Sequence, residues 1–215
     1  MDAIKQLKTV KIHPSGWPFI AVLAMLSLLI CSLMGLTVIF FVCSTLIMIY
    51  LFRVQIPTIS SEHFAITAPL SGKILQIAEI LSPHKIFFPN SPIKKIVIRC
   101  GLSTAASVHA PTSIRILQKE RIEEASGRSI LIRASVLAAE ENSELEEIMM
   151  IFSSSIPYLF PECNIEIEDT LSKGQNFGFI PFGGKLDLLV PNNFSLLTIE
   201  NQTSISGETV LAMRR

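Results

Sequence analysis

Lys173-Gly174-Gln175-Asn176-Phe177-Gly178-Phe179-Ile180-Pro181-Phe182-Gly183-Gly184-Lys185-Leu186-Asp187-Leu188-Leu189-Val190-Pro191 is the stretch on which the reading of this chain turns. Four glycines fall within it, at 174, 178, 183 and 184. Glycine is the default residue where the backbone takes positive φ or where another group approaches closely. An alternating run, Lys185 to Val190, follows the last of them. The stretch therefore predicts a strand, a glycine-punctuated turn and a second strand.

Working outward, the same alphabet recurs. Downstream come Ser195 to Ile199, a polar turn at Glu200-Asn201-Gln202, and the run Gly207-Glu208-Thr209-Val210-Leu211-Ala212. Upstream, Ile148 to Phe152, Ser129 to Leu137 and Lys94 to Cys100 are rich in β-branched residues and read as strands. Ile114 to Ile122 reads as strand and turn, and Pro161 to Asp169 as a half-exposed strand or amphipathic edge. Phe64 to Thr67, the turn Ala68-Pro69-Leu70-Ser71-Gly72-Lys73 and the run to Ile77 form a further strand–turn–strand unit. The acidic cluster Glu140, Glu141, Glu144, Glu146 and Glu147 reads as a solvated loop or short helix face, and Pro83 to Pro92 as a loop too rich in proline for a helix. Many short strands without a long amphipathic helix predict a mainly β (α+β) class. Residues 54–215 are expected to form a mostly antiparallel, sandwich- or barrel-like domain.

The 215 residues carry 18 basic and 18 acidic side chains, so net charge favours no partner, and no basic aromatic stripe or phosphate loop points to nucleic acid or nucleotides. Hydrophobic residues make up 49% of the chain, and the excess is concentrated between Trp17 and Phe52, where there is no charge. One helix of that length would reach about 54 Å, against a hydrocarbon core of about 30 Å. A transmembrane helical hairpin over 17–53 is expected instead, with spans at about 17–34 and 36–52 joined near Ser32 and Gly35, crossing fully or re-entrant. Residues 1–16 form the preceding N-terminus. Lys5, Lys8 and Lys11 before the hairpin and Arg53 after it place both ends on the cytoplasmic side of the cell inner membrane by the positive-inside rule. The four cysteines lack ligand-like spacing, so neither a metal nor a disulfide framework is expected.

The stretch 173–191 resembles the processing segment of the phosphatidylserine decarboxylases, whose short bacterial members carry a pattern like R-G-x-R-F-G-x-I-x-F-G-S-x-x-D-x-x-x-P. Gly207 to Ala212 resembles that family's terminal G-E-T-x-I-A, and Gly16-Trp17-Pro18-Phe19-Ile20 resembles its W-P-F-I entry segment. Pro69-Leu70-Ser71-Gly72-Lys73 resembles P-A-D-G-K, and Val108-His109 with Pro111 matches part of D-V-H-V-N-R-x-P. The resemblance implies a chain that cuts itself at a Gly-Ser bond and turns the serine into a pyruvoyl group, the electron sink for loss of carbon dioxide from phosphatidylserine.

At the decisive positions this chain departs from the pattern. The self-cleaving serine falls on Gly184, after Gly183, and the two carboxylates fall on Ser71 and Ser107. Glycine has no hydroxyl for an N-to-O acyl shift, and serine at neutral pH is no base. Of the family positions Ser71, Ser107, His109, Gly183 and Gly184, none is expected to form an intact catalytic set. Ser71 reads as an ordinary turn serine; His109 reads either as a core or loop histidine or as lining the old substrate pocket. The expectation is a membrane-anchored, inactive relative of these enzymes with no cofactor. Its expected partners are membrane phospholipid and either a second copy or an active paralogue. The rival readings are an active decarboxylase with an atypical site and a membrane adaptor with a lipoyl-like β module.

Overall fold

The computed structural model describes residues 11–31, 37–54, 56–59, 65–81, 92–102, 104, 106–124, 127–137 and 146–214. Lys5, Lys8, Ser32, Gly35, the loop residues Pro83 and Pro89, and Glu140, Glu141 and Glu144 lie outside them. The chain divides into two compact units, Met1–Ile56 and Pro57–Arg215.

In the first unit, β1 (Lys11–Ile12) and β2 (Arg53–Val54) pair antiparallel, Lys11 opposite Val54. They clasp the base of a helical hairpin, α1 (Gly16–Cys31) and α2 (Thr37–Leu51). The buried His13 donates its N–H to the Phe52 carbonyl at 3.0 Å. A Cβ at Gly16 would stand 2.6 Å from Phe52 Cβ, so glycine is what lets this buried ring seat at the helix start. Phe19 stacks on it with centroids 5.7 Å apart. Pro18 is accommodated because the first turn of a helix has N–H groups without intrahelical partners. Ser27 and Thr45 return their hydroxyls to the carbonyls of Leu23 and Phe41, at 2.7 and 2.9 Å, so neither adds a polar demand to an apolar surface.

Met25 and Leu28 are each 74% exposed and Phe40 is 70% exposed. The helices hold 16 and 15 residues, and no helix among the described residues is long and apolar enough to cross a membrane. The membrane spans expected at 17–34 and 36–52 are therefore not supported by the described helices, and residues 32–36 between them lie outside the described residues.

The second unit contains β3 (Ala65–Thr67), β4 (Gly72–Leu81), β5 (Pro92–Cys100), β6 (Ser107–His109), β7 (Ile114–Glu124), β8 (Gly127–Val136), β9 (Glu147–Ser154), β10 (Glu162–Cys163), β11 (Thr170–Leu171), β12 (Asn176–Phe179), β13 (Gly184–Pro191), β14 (Phe194–Leu196), β15 (Thr203–Ser204) and β16 (Val210–Arg214). Eight of them form one antiparallel sheet in the order β11-β7-β8-β9-β13-β5-β4-β15, and two three-stranded sheets, β10-β12-β6 and β14-β16-β3, accompany it. The large sheet is curled into a half-barrel with β11 and β15 at opposite edges. The mainly β, mostly antiparallel expectation holds, and the sandwich- or barrel-like domain takes the form of a curled sheet, a half-barrel.

Register explains the core. Ile98, Leu186, Phe152 and Ile130 lie in one cross-strand row, and Ile96, Leu188, Met150 and Ile132 in the next. All eight are buried. Side chains alternate across a strand, so a slip of one residue would move these rows to the opposite face.

Two local expectations are corrected. Beyond β10, residues 164–169 are not strand: Ile167 and Glu168 form a turn, Asp169 accepts the Glu166 N–H at 2.7 Å and Glu168 takes φ 77°. Glu146 and Glu147 are only partly solvated: Glu147 begins β9 and pairs with Arg133 at 2.6 Å, while Glu146 meets Arg214 at 3.1 Å.

Candidate functional site

The glycine turn sits where two sheets exchange a strand. β12 pairs with β6, Ile180 donates its N–H to Ala106 at 2.9 Å, and the chain then crosses into β13 of the large sheet. The crossing uses two consecutive left-handed residues, Phe182 at φ 59° and Gly183 at φ 80°. A phenylalanine there costs about 1–2 kcal/mol, which marks this turn as held by its surroundings. Gly183 accepts the Ser155 N–H at 3.0 Å.

Gly184 follows inside the ladder, opposite Cys100 on one side and Ser154 on the other. A Cβ there would stand 2.1 Å from the Ser153 carbonyl oxygen and 2.8 Å from Ile180 Cγ2. The position is closed to any side chain unless backbone moves.

Ser71 and His109 are brought together, through a residue the sequence reading did not single out. Ser206 donates its N–H to Ser71 Oγ at 3.0 Å and its hydroxyl to the Pro69 carbonyl at 3.1 Å, and lies 2.8 Å from His109 Nδ1. A hydroxyl has one proton. Given to Pro69, it leaves Oγ to accept from His109 Nδ1–H, which assigns that tautomer from the network. The Pro69 carbonyl also accepts the His109 N–H at 2.9 Å. Ser71, His109 and Ser206 are all buried.

Ser206 is placed by the turn that follows it. Gly207 donates to Ala68 at 2.9 Å, Ala68 donates to Thr209 at 2.8 Å, and Gly207 takes φ 76°. Its signal in the sequence was its position directly before Gly207-Glu208-Thr209, since that motif docks on the Pro69–Gly72 turn. Replacing Ser206 with alanine is expected to lower stability by about 1–2 kcal/mol, read as a shift in the urea midpoint at unchanged m-value.

Ser107 is buried on β6, opposite Phe179 and two residues from His109, so both lie on one side of that strand. Gly184 opens β13 of the large sheet and Gly183 lies in the turn before it, so neither belongs to this sheet. The network from His109 through Ser206 to Ser71 is thus built of an imidazole, hydroxyls and main-chain groups, with no carboxylate among them.

Cys100, the ladder partner of Gly184, is a free thiol whose burial pushes its pKa from 9.0 up to about 11; hydrogen bonding from the Gly184 backbone acts in the opposite sense. Burial likewise raises Cys163 to about 11. A thiol that stays neutral longer in the folded chain contributes stability below its unfolded pKa. That contribution is lost as pH rises from about 9 through 11. Wild type is therefore expected to lose roughly 2–3 kcal/mol more than Cys100→Ala between pH 8 and 11, measured by urea unfolding at each pH.

The face of β13 that carries Lys185 and Asp187 borders a cavity of about 500 Å³, also lined by Arg99, Arg128, Ile122, Ile151 and serines 129, 153, 154 and 155. Asp187 Oδ2 pairs with Lys95 at 2.7 Å and lies 3.8 Å from Lys185. Among the described residues no group of three or more His, Cys, Asp or Glu side chains could hold a metal ion.

Comparison with known proteins fits this geometry. The family profile for phosphatidylserine decarboxylase matches residues 46–212. A phosphatidylserine decarboxylase proenzyme of Nitrobacter winogradskyi is 28% identical, across 94% of this chain and 83% of its own. One from Mycolicibacterium vanbaalenii is 29% identical, across 68% of this chain and 65% of its own. No solved structure matches. With a matched segment that runs from the second helix to the last strand and contains both the glycine turn and the Ser71–His109–Ser206 network, this chain belongs to the phosphatidylserine decarboxylase family.

Proposed function

We propose that this chain is a membrane-associated relative of the decarboxylases that holds phospholipid without decarboxylating it. The observation that carries the reading is Gly184. The family's pyruvoyl group is made from a serine at this position, and the residues present do not fit it. There is no hydroxyl, and the space a serine Cβ would need is taken by the Ser153 carbonyl at 2.1 Å. The absence of carboxylates at Ser71 and Ser107 supports the same conclusion, since neither serine can take up a proton at neutral pH.

Membrane association is supported by the hairpin, whose helices expose Trp17, Met25, Leu28, Leu29, Ile39 and Phe40 to their surroundings. Contiguous apolar surface of this kind marks a membrane or protein contact. Helices of 16 and 15 residues rise about 24 and 22 Å, short of the roughly 30 Å core, so the hairpin is proposed to be re-entrant, dipping into the bilayer and returning. Arg53, packed over the Tyr50 ring at 4.2 Å, suits the headgroup boundary on the cytoplasmic side of the inner membrane.

The test is turnover. The purified full chain, incubated with phosphatidylserine vesicles, is expected to form no phosphatidylethanolamine above a protein-free blank. Sustained turnover by a homogeneous preparation would show an active enzyme with an atypical site and sink the proposal.

A further inference from the structure

The connection from β9 to β10 carries apolar side chains out into solvent on a turn that is held from several sides. Leu159 donates its N–H to the Ile156 carbonyl at 3.1 Å, which closes a β-turn with Pro157 and Tyr158 at its corners. Proline at the first corner presets the φ that such a turn needs. At the entry, Ile156 donates its N–H to Ser154 Oγ at 3.1 Å; at the tip, Arg128 donates to the Tyr158 carbonyl at 2.6 Å. On this frame Tyr158 is 83% exposed and Ile156 is 40% exposed. Neither of them lines the cavity beside β13, nor does Phe160.

Cations flank the turn, and they are the second, independent observation. The guanidiniums of Arg121 and Arg128 both lie over the Phe160 ring, 5.4 and 4.8 Å from its centroid. Lys119 stands two residues before Arg121 on the same side of β7, with its Nζ donating to the Cys163 and Ile165 carbonyls at 3.0 and 2.9 Å. Among the described residues, the one ion pair at any of these three cations joins Arg128 to Glu123, at 3.5 Å. Three cations against one carboxylate leave this flank positive, and Arg121 is exposed.

The chemistry of the turn fits a lipid surface. A tyrosine with an aliphatic neighbour suits the boundary between hydrocarbon and headgroups, being apolar along its body and polar at its tip. Cations beside it suit a layer of anionic headgroups. A protein partner could use the same apolar tip; the unmatched positive charge decides for the membrane. We propose that the turn Ile156–Phe160 docks on an anionic membrane surface, with Ile156 and Tyr158 entering the headgroup boundary and Arg121 and Arg128 facing the negative headgroups. The inference deepens the membrane-associated reading and rests on the hairpin only for bringing the chain to lipid.

Tryptophan fluorescence on the full chain tests it. Trp17→Phe removes the single native tryptophan, and Tyr158→Trp or Ile199→Trp then supplies one at a chosen place. Ile199 is 71% exposed and lies just before β15, the edge strand at the far side of the large sheet from β7. The vesicles are phosphatidylcholine brominated near the headgroup end of its acyl chains, with and without phosphatidylglycerol. Emission of the Tyr158→Trp chain is expected to be blue-shifted and quenched when phosphatidylglycerol is present, and emission of the Ile199→Trp chain to stay unchanged. Adding Arg121→Glu to the Tyr158→Trp chain is expected to abolish the quenching, and Arg121→Lys to keep it, because the charge is what the membrane reads. Loss in both variants would assign Arg121 a purely structural role and overturn the proposal.

The remaining outcomes separate the loop from the hairpin. A chain that floats with the vesicles while the Tyr158→Trp emission stays unquenched overturns the docking loop and leaves the hairpin reading standing; a protein partner for the turn gives this same result. Equal quenching at positions 158 and 199 overturns the loop as general adsorption. A chain that neither floats nor is quenched overturns both readings. Quenching that persists when Leu28→Arg and Phe40→Arg are added supports the loop and removes the hairpin from the membrane.

Discussion

Gly184→Ser, the change that restores the family residue, is expected to destabilise the chain by about 3 kcal/mol or more and to leave it uncut. Overpacking commonly costs about 1–3 kcal/mol when side chains can give way. Here the obstruction is the Ser153 carbonyl at 2.1 Å, a main-chain atom locked in the β9–β13 ladder, with Ile180 Cγ2 at 2.8 Å behind it. Relief requires two strands to part where the Leu186–Phe152 row begins. The matched control is Gly101→Ser, whose Cβ would meet nothing nearer than Thr104 Oγ1 at 4.0 Å. That variant is expected to stay within about 0.5 kcal/mol of wild type. Urea unfolding reads the stability, and denaturing electrophoresis reads the cut. A Gly184→Ser chain as stable as Gly101→Ser would mean that the ladder yields easily, and the steric reading of the site would fall.

Charging the hairpin is expected to release the chain from membranes. Leu28 and Phe40 are 74% and 70% exposed, so arginine at both positions removes little packing, chiefly the edge contact of the Phe40 ring with Phe41. At the centre of an apolar helix each arginine costs about 2.5–3.5 kcal/mol in the bilayer, and two of them shift the partition by roughly a thousandfold or more. In a vesicle flotation assay the wild-type chain is expected to rise with the lipid and the double variant to remain in the dense fraction, with the same urea midpoint for the second unit. A double variant that still floats would show that the hairpin is not what holds the chain to lipid.

Much of this architecture was legible because two physical signals dominate it. β-branched and alternating runs marked β5, β8, β9 and β13 to within two residues at each end, since buried strands select those side chains. The charge-free block announced two helices, but hydropathy does not make them membrane-crossing, and no helix among the described residues is long and apolar enough to cross. The alternation of Ile165 and Ile167 with Glu166 and Glu168 imitated a strand, and a local Asp169 bond to the Glu166 N–H won instead.

At the site, the glycine turn was readable from its motif. The meeting of Ser71 with His109 and the part Ser206 plays in it were not, because a serine acquires such a role only when residues far apart in sequence meet; the place of Ser206 before Gly207-Glu208-Thr209 was its one signal. The closure of Gly184 depends on the Ser153 carbonyl, which no motif names.

The most direct measurement is the intact mass of the purified wild-type protein under denaturing conditions. A single uncut chain of 23.8 kDa with an unmodified Gly183–Gly184 bond is the expected result. Two fragments parting at that bond, the smaller with a blocked N-terminus, would contradict it, because the chain would then possess the processing chemistry that Gly184 is argued to have removed.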